Sequence, residues 1–332
     1  MLAKLHVKVP FELMLPLGER FNVYTLETDG YKVRFDVPSR SVDSPNTSES
    51  EKIEVNGKSA FLADVLTVVF EKESFERAEG TPLDPSEELI QATIQFFLDR
   101  LKFVAKAPQV RPIDFPNCTW DLLYLNDDGS ELERKEGLFR GRFGRHLSVA
   151  VFGCSPQIWD DIFSLAPDFR VPPWHTLLVD SRGALPHVGS AVVLAATALE
   201  IFIEEVLHQL AQATSISDLL WKWLNDRGDW RKEPSVEERF DVLLKVTAGH
   251  SLKEDNLLWE SFKKLRKARN AFVHHGAPIL DGQIVSNADA LHLIASADAI
   301  VKRVREWLPP SLQWPVFQHN MNIQVTKPFL GS

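Results

Sequence analysis

Cysteine is scarce in this chain: Cys118 and Cys154 are the only two in 332 residues. Two thiols so far apart supply neither a disulfide framework nor a thiolate zinc motif, and they suit a reducing compartment. Long apolar runs are missing as well. The most apolar stretch, Ala191 to Leu199, is far shorter than the roughly 18 to 20 residues that a membrane span needs. Lys4, Lys8, Pro10 and Glu12 stand where a signal peptide requires an uninterrupted apolar core. The expectation is a cytoplasmic protein with no membrane partner.

The familiar catalytic signatures are also absent. Gly57-Lys58-Ser59 lacks the glycine that a phosphate-binding loop carries five positions earlier, where this chain has Lys52, and an Asn-Gly hairpin turn accounts for it better. No Gly-x-Ser-x-Gly elbow and no His-Glu-x-x-His helix occurs. With no recognisable metal-ligand spacing, neither a metal nor another cofactor is expected.

What is present is ordinary for a globular protein: 44% hydrophobic, 25% charged and 10% aromatic residues. The length favours two domains. The charge is unevenly divided, since residues 1–170 carry 20 basic and 28 acidic residues (net −8) and leave 17 and 18 (net −1) for residues 171–332, matching the total of −9. A bulk field of that sign repels polyanions, so any nucleic-acid contact needs a local basic patch.

Residues 1–170 read as a mixed α+β domain. Short β-branched and aromatic runs at Leu5 to Val9, Phe21 to Leu26, Tyr31 to Val37 and Phe61 to Phe70 predict strands, and Ser41 to Glu51 predicts a solvated loop. A capping signal at Asp84-Pro85-Ser86-Glu87 predicts one helix carrying Ile90, Ile94, Phe97, Leu98 and Leu101. Past the Pro172-Pro173-Trp174 junction, residues 171–310 read as an all-α bundle of five helices: about 188–213, 217–224, one from Ser235/Glu238 onward, 255–275 and 286–308. Residues 311–332 form a tail.

The chemistry concentrates at the end of the fourth of these helices. Five of the seven residues from Lys263 to Arg269 are basic (Lys263, Lys264, Arg266, Lys267, Arg269), and Asn270, His274 and His275 follow before Gly276. Asn270 and His274 share a helix face, with the Arg269 guanidinium in reach of the imidazole. Arginine matches phosphate oxygens and histidine carries a proton near neutral pH, so the group suits metal-free phosphate chemistry. The same residues could merely complement the helix dipole as surface and capping groups. Elsewhere, Thr197, Glu200, Glu204 and His208 form a polar stripe on an otherwise apolar helix, either solvated or salt-bridged, or part of a site. Trp221, Trp223 and Trp230 could stack bases, although packing is the favoured reading. Arg140 to His146 interleaves bases with an aromatic, and an exposed strand is its favoured reading.

Arg269-Asn270-x-x-x-His274 with Gly276 resembles the Arg-x4-6-His signature of HEPN domains (higher eukaryotes and prokaryotes nucleotide-binding). Ala195 to Glu200, Pro173-Trp174 and Leu265 to Asn270 look most like the Apea-like subgroup, and the likeness covers residues 173–308. The resemblance implies a metal-independent endoribonuclease, of the toxin or antiviral-defence kind, that leaves a 2′,3′-cyclic phosphate at a composite site in a homodimer. It assigns proton transfer to His274, phosphate stabilisation to Arg269 and positioning to Asn270, with His275 and Glu200 in support. Lys263, Lys264, Arg266 and Lys267 would then hold RNA, and residues 1–170 would sense a regulatory ligand or protein. The alternative is a non-catalytic HEPN module that dimerises or binds a nucleotide.

Overall fold

The computed structural model describes residues 1–40, 53–55, 58–76, 82–137, 151–214, 216–225 and 233–319. It divides into two compact units, Met1–Phe169 with Phe317–Ser332, and Arg170–Val316. The first is built on a largely antiparallel sheet and the second is helical, so the chain is α+β followed by a helical region. The Asn56-Gly57 turn, the Ser41 to Glu51 loop, the Arg140 to His146 stretch, Trp230 and the tail beyond residue 319 lie outside the described residues.

In the N-terminal unit, period-two alternation makes β1 (Leu2–Pro16) the spine of the sheet: Ala3, Leu5, Val7, Val9 and Phe11 are buried while Lys8 and Pro10 are exposed. After it come β2 (Tyr24–Thr28), β3 (Tyr31–Ser39), β4 (Ile53–Val55), β5 (Lys58–Glu71), α1 (Glu87–Ala105), β6 (Trp120–Leu125), β7 (Glu131–Gly137), β8 (Val151–Gly153) and α2 (Pro156–Ser164). The strand order is β2-β3-β5-β1-β6-β7, with β4 beside β5, and β8 parallel to β1 at Glu12 to Met14. Ser86 caps α1, its hydroxyl accepting from the Leu89 N–H at 3.3 Å. Phe97 of α1 and Trp159 and Phe163 of α2 join Phe35 of β3 in one aromatic cluster.

Several of these elements differ from the sequence expectation. The first strand extends beyond residues 5–9 at both ends, the second begins at Tyr24 rather than Phe21, and β6, β7, β8 and α2 are additional. Strand β7, Glu-Leu-Glu-Arg-Lys-Glu-Gly, has almost no apolar residue to alternate. It pairs with β6 at the edge of the sheet, where charge discourages further strand addition.

Both cysteines are free thiols in this unit. Burial pushes Cys118 up to about 11 and Cys154 up to about 12. At pH 8 the thiolate, which is the reactive form, is then a fraction of about 10⁻³ or less. Iodoacetamide at pH 8 is therefore expected to leave the folded protein unmodified, and mass spectrometry showing rapid labelling of either thiol would contradict this.

The second unit begins at Arg170, beside the expected boundary at 171, but its first helix lies earlier than expected. Pro172-Pro173-Trp174 is not only a junction but the start of α3 (Pro173–Gly183), with Pro173 at the first helical position, where no N–H is needed. Helix α4 (Val188–Ala213) is the buried centre of the unit, with Ala195, Leu199, Phe202 and Ile203 fully enclosed. Around it lie α5 (Asp218–Asn225), α6 (Val236–Glu238), α7 (Leu244–Ala248), α8 (Asn256–His275) and α9 (Asn287–Trp307). Between α6 and α7 the chain winds as a π-helical turn, Arg239–Leu243. A two-stranded hairpin of β9 (Ile279–Leu280) and β10 (Gln283–Ile284), not foreseen, joins α8 to α9. The first part of the expected tail belongs to this core, because the Trp314 ring lies 5.1 Å from Trp174 and 5.5 Å from Phe202.

Candidate active site

Helix α8 has sharp ends and one apolar stripe. The Asp255 carboxylate accepts from the Leu258 N–H at 3.2 Å, and Gly276 ends the helix at φ 73°, a left-handed conformation that a Cβ would penalise. Trp259, Phe262, Leu265 and Ala268 recur every three residues and are buried, which leaves the basic residues on the other faces. Phe272 crowds the start of α4, where a Cβ on Gly189 would lie 2.0 Å from a ring carbon. Only glycine permits that approach without displacing the ring.

Arg269 is the focus of the site. It donates from Nη1 to Asn270 Oδ1 at 3.0 Å, and its Nη2 lies 3.9 Å from the Glu200 carboxylate on α4. Both charged side chains are about one-third exposed, at 31% and 32%. Its Nε is shielded from solvent and has no hydrogen-bond acceptor among the described residues. A shielded guanidinium N–H without a partner is energetically unfavourable until an acceptor is supplied. His274 lies one turn beyond Asn270 on the same face, and both it and His275 are exposed, with ring centroids 6.3 Å apart.

The site thus brings together Arg269, Asn270 and the Glu200 of the polar stripe, with two solvent-facing imidazoles at the helix end. No family model, curated protein or solved structure matches the chain. Among the described residues, no three His, Cys, Asp or Glu side chains gather as a metal site would need, and no helix is long and apolar enough to cross a membrane.

The basic patch is less bare than the sequence suggests. Lys263 pairs with Glu260 at 2.7 Å, Lys267 with Asp281 at 2.8 Å, and Arg266 with Glu237. The Lys267 ammonium, by hydrogen bond and charge, holds the Asp281 carboxyl below the usual carboxylate range. Lys264 lines a cavity of about 340 Å³ with Gln283, His292 and Ser296. Glu237 and Asp281 come from elements distant in sequence, which a spacing argument on residues 263–269 does not see, and Glu260 lies one turn earlier on α8.

Arg239 is the residue that sequence reasoning missed. It sits in the π turn and donates from Nη1 to Glu204 Oε2 at 3.2 Å, one turn of α4 beyond Glu200. Its Nε, like that of Arg269, is shielded and without an acceptor among the described residues. The one sequence signal was Glu204 itself, whose place in the polar stripe left a salt bridge open without naming its partner.

Proposed function

We propose that the helical unit is a HEPN-type ribonuclease domain that cleaves RNA without a metal ion. The observation that carries this reading is the Arg269 guanidinium, held between Asn270 and Glu200 with an unsatisfied N–H, at the end of a basic helix that also presents His274. A phosphate diester can accept from the exposed part of that guanidinium, and the planar fork suits its two oxygens.

The reaction follows from those groups. The ribose 2′-hydroxyl attacks the adjacent phosphorus while a neutral imidazole takes its proton. The bond from phosphorus to the 5′-oxygen breaks, an imidazolium returns a proton to that oxygen, and the products are a 2′,3′-cyclic phosphate and a 5′-hydroxyl. Arg269 faces the extra negative charge that gathers on the phosphate oxygens in the transition state. Two imidazoles are required, one in each protonation state. A homodimer with α8 against its symmetry copy would supply two His274 side chains and two Arg269 side chains at one site. His275 is the second contact, Glu200 orients Arg269, and Lys263, Lys264, Arg266 and Lys267 would hold flanking phosphates.

The carboxylates on Lys263, Arg266 and Lys267 favour the rival reading, a non-catalytic dimerisation or nucleotide-binding module. They do not prevent RNA binding, because exposed pairs of this kind are weak and a phosphate can replace the carboxylate without leaving a buried charge. Regulation by the acidic N-terminal unit, through a ligand or a protein, suits an enzyme that destroys cellular RNA in a toxin or antiviral-defence setting.

The test is a cleavage assay on single-stranded RNA with excess EDTA, with end-group analysis of the products and light scattering of the enzyme. Cyclic-phosphate ends, chelator-resistant cleavage and a dimeric mass are expected. A divalent-ion requirement, 3′-hydroxyl ends or a purely 37.6 kDa species would overturn the proposed mechanism.

A further inference from the structure

The polar stripe of α4 does not end at Glu200. Glu204, Glu205 and His208 line a cavity of about 290 Å³ together with Trp221 and Asn225 of α5, Arg239 of the π turn and the apolar side chains of Ile201 and Leu207. Glu205 accepts from the Gln209 side-chain amide at 3.2 Å, which leaves Glu204 as the carboxylate exposed to a ligand. Glu204 in the cavity wall stands about one turn of α4, a rise of about 6 Å, beyond Glu200, whose carboxylate contacts Arg269. Single π turns inside α-helices recur at functional sites because the extra residue re-aims a side chain. Here the turn carries Arg239 into the cavity wall.

Three features of the lining point to one kind of occupant. Trp221 offers an aromatic surface of the sort on which unstacked bases settle. The Arg239 side chain, 14% exposed, lines the same wall, and its guanidinium has N–H groups beyond the one that Nη1 gives to Glu204. Glu204 pairs with Arg239 at 3.2 Å yet is 71% exposed, so its carboxylate is free to turn toward a ligand. Guanine is the base that presents two adjacent donors, N1–H and the 2-amino group, to a single carboxylate. Its O6 and N7 are acceptors for arginine. Adenine, cytosine and uracil offer no such pair of donors to Glu204.

We propose that this cavity is a guanine-binding subsite, in which Glu204 accepts from N1–H and the 2-amino group, Arg239 donates to the base's acceptor edge, and Trp221 stacks on its face. The assignment rests on the ribonuclease reading for its role, selecting RNA cut beside a guanosine, but the binding site itself can be tested without cleavage.

The experiment is isothermal titration calorimetry of the full chain with the 5′-monophosphates of guanosine, adenosine, cytidine and uridine. The guanosine nucleotide should bind at least tenfold tighter than the other three. Glu204→Gln replaces one acceptor with a donor at an exposed position, and should remove that preference with the melting temperature unchanged. Equal affinity for all four nucleotides, no measurable binding, or a preference that survives Glu204→Gln overturns the subsite. Guanine-selective binding that is lost in Glu204→Gln upholds it even if the protein cuts no RNA, in which case only the nuclease reading fails. Cleavage without any preference for guanosine, alongside non-selective binding, removes the subsite and leaves the nuclease reading standing.

Discussion

Arg269→Ala and His274→Ala should each lower the rate of RNA cleavage by on the order of 10²-fold or more, while leaving the protein folded. On the proposed mechanism, the first removes the charge-assisted donor to the reacting phosphate and the second removes the proton carrier from both halves of the composite site. Neither change opens the core: His274 is exposed, and Arg269 contributes a long ion pair to Glu200 and a hydrogen bond to its neighbour Asn270. Changes of this kind shift stability by less than about 1 kcal/mol. Removing Arg269 also removes an unsatisfied shielded N–H, which offsets part of what the lost contacts cost. Arg269→Lys should fail as well, because an ammonium keeps the charge but not the planar fork. Glu200→Gln keeps the hydrogen-bonding oxygen near Arg269 and should reduce the rate only a few-fold. The decisive comparison is cleavage rate beside melting temperature and oligomeric mass for each variant. If the two alanine variants remain folded and cut RNA at the parental rate, the helical unit is not a nuclease of this kind and the interaction-module reading replaces it.

The parts of this molecule that were legible in the sequence are those written in local terms. Helix α8 could be bounded from Asp255 and Gly276, because a cap and a left-handed glycine act within a few residues of the chain they terminate. The Ser235/Glu238 capping box and the apolar α4 were legible for the same reason. Proximity between distant residues was not. Arg269 beside Glu200 and Arg239 beside Glu204 depend on how α4 packs against other elements, which no period or spacing encodes. The π turn was hidden too, since Arg239 to Leu243 carries no residue that excludes a regular helix. In the N-terminal unit β7 was missed because its charges mask the alternation. Helix α2 is too short for its periodicity to stand out, although Ser155-Pro156 caps it in a recognisable way.

Arg100 is the sharpest case of information that only the packed structure holds, and replacing it should give the largest stability loss of any polar residue named here. In the sequence it is one charged residue among several near the end of α1, with nothing in its spacing that marks it as buried. Instead Arg100 is 2% exposed and its guanidinium donates to the carbonyls of Leu165 at 3.0 Å, Pro167 at 3.1 Å, Ile162 at 3.4 Å and Ala166 at 2.6 Å. These carbonyls lie at and just beyond the C-terminal end of α2, which has no basic residue in its own last turn. The end of a helix gathers unsatisfied carbonyls and partial negative charge, and Arg100 neutralises both from the neighbouring helix while stacking on the Phe96 ring at 3.8 Å. Arg100→Met keeps the length and most of the volume but removes every donor. Two effects then oppose each other. A buried cation no longer has to be desolvated, which favours the variant, yet the Ile162 and Leu165 carbonyls lose the guanidinium in a buried setting and those of Ala166, which keeps the Phe169 N–H, and Pro167 lose it nearer the surface. The carbonyls prevail, because each hydrogen bond to a charged group is worth about 1.5–3 kcal/mol and a stranded acceptor adds its own desolvation penalty. The net loss should be about 3 kcal/mol or more, a drop on the order of 10 °C in melting temperature for a domain of this size. Calorimetry of Arg100→Met against the parent measures it directly, and a melting temperature within about 2 °C of the parental value would mean that water satisfies the end of α2 without Arg100.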